Sequence, residues 1–147
     1  MTNFLGYPQL AGVVKRQTSI DDVVIVMDGS GSIPYCEFAK GKEALKHLMG
    51  TAHKSGYDSK YAAVTFSTTA TVNFKFLPYL TAASKITTIP YPAGSTNTQA
   101  GLAEAKKLFD DPNSGNLGVI FFILLLQVFE KVFVIITFFL IWSGIRV

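Results

Sequence analysis

The stretch Val23–Ile33, VVIVMDGSGSI, passes from an unbroken apolar run into an aspartate and then into two serines separated by glycine. Four β-branched or aliphatic residues and a methionine in a row suit a strand buried on both faces, as in a parallel sheet. The run stops at Asp28, and Ser30 and Ser32 follow at alternate positions. Three oxygen-bearing side chains therefore sit just past the C-terminal end of a strand, where open α/β sheets bind their ligands. A carboxylate with two hydroxyls is a hard-oxygen set that suits Mg²⁺, Ca²⁺ or Mn²⁺ rather than zinc. The bland reading of the same residues is a turn and helix cap.

Outward from this stretch the chain alternates strand and helix. From Pro34 to about His53, Phe38, Leu45, Leu48, Met49 and Ala52 recur at helical spacing, which predicts an amphipathic helix ended by Gly56. Residues 60–66 read as a second buried strand. Residues 71–77 alternate, with Val72, Phe74 and Phe76 on one face, and the short turn before them makes that strand antiparallel to its predecessor. A short helix is expected over 81–89, closed by Pro90 and Pro92. GSTNTQAGLAEAKKLF, from Gly94 to Phe109, reads as a loop feeding a helix that places Leu102, Ala105 and Phe109 on one side. Thr98 is the expected cap. Residues 1–20 read as an irregular leader, 21–112 as the globular part and 113–147 as a hydrophobic tail.

The totals exclude several classes. The 147 residues suffice for one domain. Cys36 is the sole cysteine, which rules out an intrachain disulfide or a cysteine metal cluster. Lys40, Lys42, Lys46, Lys54, Lys106 and Lys107 are dispersed through helical segments, so no nucleic-acid patch is expected. His47 and His53 are six apart and do not share a face for metal binding. The N-terminus lacks the continuous apolar core of a signal peptide.

Asp28-Gly-Ser30-Gly-Ser32 after a hydrophobic strand, with GSTNTQAGL at Gly94–Leu102, resembles the metal-ion-dependent adhesion site of von Willebrand factor type A (integrin I-like) domains. The resemblance implies a Rossmann-like three-layer α/β sandwich, mainly parallel with one antiparallel edge strand. It implies metal ligands at Asp28, Ser30, Ser32 and Thr96. It also implies a non-enzymatic adhesion function, in which a divalent cation, Mg²⁺ foremost, meets an acidic residue of a protein partner such as an extracellular matrix component. The implied location is extracellular or at the cell surface.

The chain departs from that pattern in its last third. The family carries an aspartate after its fourth strand. Lys131–Thr137, KVFVIIT, looks like that strand, expected beside residues 22–27, yet Phe138 follows it. The domain is therefore expected to be incomplete at its C-terminal end, with weakened cation affinity, since affinity scales with ligand charge. Residues 117–142 are almost wholly Phe, Ile, Leu and Val, broken by Gln127, Glu130 and Lys131. Three accounts of this run stay open. It can supply strand 131–137; it is long enough for a transmembrane segment over 117–142; or it can be a T-rich non-coding tract read as protein, since these residues share a T at the second codon position. The last two give the alternative of a membrane-anchored or truncated product without ligand binding. Two enzyme readings fail on the motif. A haloacid-dehalogenase-type site needs a second aspartate where Ser30 stands, and no GxxxxGK[ST] phosphate loop is present.

Overall fold

The computed structural model describes residues 21–56, 58–117, 121–129 and 132–140. The expected leader over 1–20 lies outside them. The elements run β1 (Asp22–Asp28), α1 (Tyr35–Lys54), β2 (Lys60–Phe66), β3 (Ala70–Pro78), α2 (Tyr79–Thr87), α3 (Thr98–Asp110), β4 (Phe121–Phe129) and β5 (Val132–Leu140). One sheet holds all five strands in the order β3-β2-β1-β4-β5. β1 is central and parallel to both β2 and β4, while β3 and β5 run antiparallel at the two edges.

Two apolar layers sandwich this sheet. On one side Ile25, Met27 and Ala63 pack with Phe38, Leu45 and Met49 of α1 and with Ala82, Ala83 and Ile86 of α2. On the other, Val24, Val26, Ala62 and Val64 pack with Ala105 and Leu108 of α3. Alternate residues of β1 thus feed opposite cores. That is why β1 is apolar throughout its interior, from Val23 to Met27, and it makes the architecture a three-layer α/β sandwich.

Four expectations need correction. Phe74 and Phe76 do not share a face: Phe74 joins the α1/α2 core and Phe76 the α3 core. The β2–β3 register slips twice, between Tyr61 and Ala63 and between Ala63 and Val64, and an extra residue in β3 reverses the side to which later residues point. Leu48, expected on the core face of α1, is 42% exposed, because Leu45 and Met49 already occupy the stripe over the sheet. The cap of α3 is Asn97, whose side chain accepts the Ala100 N–H at 3.1 Å; Thr98 is the first helical residue.

The fourth correction concerns the strand beside β1. Its parallel neighbour is β4, residues 121–129, and the run expected there forms β5, paired only with β4. The apolar run that follows α3 first takes the inner position. The next run follows after two residues, a connection far too short for a parallel crossover, so it must turn back antiparallel. The sheet therefore has two antiparallel edges instead of one. No helix among the described residues is long and apolar enough to cross a membrane.

Candidate functional site

β1 delivers Asp28 to the C-terminal rim of the sheet, level with Phe66 at the end of β2. The carboxyl is 6% exposed, and its Oδ1 accepts the Ser30 N–H at 2.8 Å. That bond curls the chain at once into a turn, closed by the Ile33 N–H donating to the Ser30 carbonyl at 3.1 Å. The curl brings the hydroxyls of Ser30 and Ser32 within 3.0 Å of each other. Ser30 is buried and Ser32 exposed, so the pair opens outward from the strand end. The Gly29 N–H donates to the Phe66 carbonyl at 2.8 Å, which fastens the loop to β2.

The second loop lies directly on the first. Gly31 donates its N–H to the Gly94 carbonyl at 2.7 Å. A Cβ at Gly29 would come within 2.6 Å of the Pro92 ring, so only glycine permits this approach. Thr96 stands two residues past Gly94, exposed. Among the described residues no hydrogen bond joins its side chain to Asp28, Ser30 or Ser32. The structure thus joins those three in one turn and carries Thr96 on the loop bonded to it.

A third loop, the β2–β3 turn, was not singled out in the sequence. The Asn97 N–H donates to the Ser67 carbonyl at 2.8 Å. Thr68 Oγ1 accepts the Ser95 N–H at 3.1 Å and lies 3.2 Å from Ser95 Oγ. Thr68 and Ser95 are ordinary small polar residues, and only their pairing across 27 positions gives them a role.

Residues 29–36, 67–69 and 90–99 contain no Asp, Glu, Lys, Arg or His. Asp28 is therefore the one fixed charge these loops offer. No group of three or more His, Cys, Asp or Glu among the described residues is placed to hold a metal. On β4, Leu126 pairs with Met27, so the next residue, Gln127, falls level with Asp28. Phe138, which the sequence placed where the family carries its aspartate, pairs with Ile123, well down the sheet from this rim, and so does not occupy that position. At the level of Asp28 the neighbouring strand bears an amide residue instead of a carboxylate.

The von Willebrand factor type A domain profile matches residues 22–127. The chain belongs to the von Willebrand factor type A domain family. Domains of this family are in general protein-interaction modules, typically non-enzymatic, and they often bind a divalent cation. Solved structures that share the fold include a pilus tip protein and a byssus matrix protein. The type V pili tip protein Mfa5 from Porphyromonas gingivalis aligns with a TM-score of 0.57 at 19% identity, over 76% of this chain and 22% of that one. Proximal thread matrix protein 1 from the mussel byssus aligns with a TM-score of 0.59 at 22% identity, over 74% of this chain and 30% of that one. The chain thus spans less than a third of either neighbour. No curated protein sequence matches it significantly.

Proposed function

We propose that this von Willebrand factor type A domain is a non-enzymatic adhesion or protein-binding module. In this reading a divalent cation held by Asp28, Ser30 and Ser32, with Thr96 from the second loop, meets an acidic group of a protein partner. The observation that carries the reading is the 3.0 Å spacing of the Ser30 and Ser32 hydroxyls beside the buried Asp28 carboxyl. The two hydroxyls hydrogen-bond each other at that distance, and adjacent oxygen ligands on Mg²⁺, Mn²⁺ or Ca²⁺ lie at a similar separation, roughly 3 Å, so a hard divalent ion could replace the shared proton. When bound, the ion supplies a positive centre for a partner's carboxylate. The chain's own residues orient the two hydroxyls and hold the Asp28 carboxyl, through its bond from the Ser30 N–H, beside them.

With one carboxylate and Gln127 level with it on β4, the intrinsic cation affinity is low. The names of the two structural neighbours, a pili tip protein and a byssus thread matrix protein, accord with an extracellular or cell-surface setting and a matrix-type partner. The Gln127 position favours a second reading, a domain of this family that has lost cation-dependent binding.

Calorimetric titration of the purified chain with Mg²⁺, Mn²⁺ and Ca²⁺ decides between the two. The first reading expects saturable binding of at least one of these ions, abolished by Asp28→Ala. Absence of saturable heat with all three ions, in a chain shown to be folded, refutes it.

A further inference from the structure

We infer that Tyr91 is a positioning residue for the Ser30–Ser32 turn, clamping it from the segment that leads to Thr96; the inference rests on the cation-site reading. The Tyr91 hydroxyl lies 2.6 Å from the Ile33 carbonyl and 3.2 Å from the Ser30 carbonyl, its single proton shared in a three-centre bond directed mainly to Ile33. Those carbonyls belong to the two ends of the turn that carries the paired serines, closed by the Ile33 N–H to Ser30 carbonyl bond at 3.1 Å. One phenol therefore fixes the span of the turn.

The bond to Ile33 fills a gap in the backbone. At the start of α1 the Glu37 and Phe38 N–H groups both donate to the Pro34 carbonyl. The Ile33 carbonyl takes the Tyr91 hydroxyl. The phenol thus stands where the helix turns away from the loop.

The ring is itself held. It packs on Phe38, 3% exposed, with centroids 5.3 Å apart, and it meets Tyr35 edge-on at 5.9 Å. Phe38 anchors in the core, so the hydroxyl is placed by the hydrophobic interior and delivered to the rim. The following residues continue the clamp: the Pro92 ring covers Gly29, and the Gly94 carbonyl accepts the Gly31 N–H. Three residues, Tyr91, Pro92 and Gly94, thus grip four points from Gly29 to Ile33. Of these only the Tyr91 contact is made by a polar side chain, so only it can be removed without altering the backbone or a ring.

The test compares wild type with Tyr91→Phe, which keeps the ring and its packing. Amide hydrogen exchange in cation-free protein reads Gly31 and Ile33, whose N–H groups close the two loops, against Ala62–Val64 of β2 as a control for global folding. Loss of a hydrogen bond of ordinary net strength predicts about fivefold to tenfold faster exchange at Gly31 and Ile33, with β2 unchanged. Mn²⁺ titration of the same pair predicts a dissociation constant raised by a similar factor. Phe38→Leu, which loosens the core, lowers the melting temperature and accelerates β2 exchange as well. Equal exchange at Gly31 and Ile33 in wild type and Tyr91→Phe overturns the clamp. Faster exchange with an unchanged Mn²⁺ affinity overturns its link to the cation. If wild type takes up no Mn²⁺, the cation reading falls, and the exchange result alone still decides whether Tyr91 holds the turn.

Discussion

Gly31 gives its N–H to the Gly94 carbonyl across 2.7 Å, and this bond joins loops more than sixty positions apart in the chain. The carbonyl points that way because the backbone around it is left-handed. Gly94 has φ +108 and Ala93 φ +54. These two residues predict opposite mutational signs. At Gly94 an added Cβ would meet Thr68 Oγ1 at 2.7 Å in a conformation that side chains rarely adopt. Gly94→Ala should therefore cost about 1–3 kcal/mol in urea unfolding. Ala93→Gly relieves the left-handed penalty of about 1–2 kcal/mol, set against a flexibility cost of about 0.5–1, and should be neutral to mildly stabilising. Destabilisation by Ala93→Gly of the size expected for Gly94→Ala would refute the backbone argument.

Lys42 ends α2. Its Nζ, on a half-buried side chain of α1, donates to the Thr87 carbonyl at 3.0 Å and to the Ile89 carbonyl at 2.9 Å. Carbonyls at a helix C-terminus lack intrahelical donors and carry the negative end of the helix dipole, so a lysine satisfies both needs. Lys42→Met keeps an apolar stem of similar length and removes the charge, together with the Nζ that lies 5.5 Å from the Phe38 ring centroid. It should cost about 1–2 kcal/mol by urea denaturation, with little change on adding salt, since the bonds are short and partly shielded. An effect no larger than that of exposed Lys46→Met would mean that the bonds contribute nothing net.

What the sequence made legible follows the range of the forces involved. Asp28, Ser30 and Ser32 lie within five residues, and the bond that curls them is local, so composition and spacing reveal the turn. β1, β2, α1 and α3 carry patterns long enough to read. The bulges that part Phe74 from Phe76 arise from pairing with β2 and leave no mark in an alternating string. FFILLLQVF and VFVIITFFL are equally good strands, and only the chain reversal between them decides which lies beside β1. Tyr91 contacts a carbonyl 58 positions away, so nothing near it in sequence announces its role.

Asp21 predicts a pH effect at the opposite rim of the sheet. Its carboxyl is buried, with Oδ1 lacking a hydrogen-bond partner, and burial pushes its pKa above the ordinary value of 3.8. The folded state then holds the proton more tightly than the unfolded state. Stability falls as pH rises from the unfolded value through the folded one, and the ionised carboxylate remains a net cost at neutral pH. Asp21→Asn removes the ionisation and should raise the melting temperature at pH 7. The gain should shrink as pH is lowered through the raised folded value toward 3.8 and vanish below it, where Asp21 is protonated in both states. A gain that is constant from pH 3 to pH 7 would assign the effect to shape instead of charge.

The two edges of the sheet differ in how they resist another strand. β3 contains Lys75 and ends in Pro78, and its pairing with β2 is interrupted by two register shifts. Charge, proline and bulges are devices that keep an edge from pairing with a further strand. β5, VFVIITFFL, has none of them: nine residues without a charge, a proline or a glycine, in unbroken register with β4 from Val132 to Leu140. A long regular strand of high β-propensity and low charge is a template for self-pairing. The chain in plain buffer should therefore self-associate through β5, seen as concentration-dependent sedimentation. Thr137→Lys, which places a charge at the middle of the strand, should shift the distribution toward monomer. Lys75→Thr on the opposite edge should leave it unchanged, because the bulges there persist. Asp28→Ala should also leave it unchanged, since association depends on the edge and not on the cation rim. Monomeric sedimentation of the wild-type chain across the accessible concentration range, with a cooperative melt, would show that β5 is not such a template.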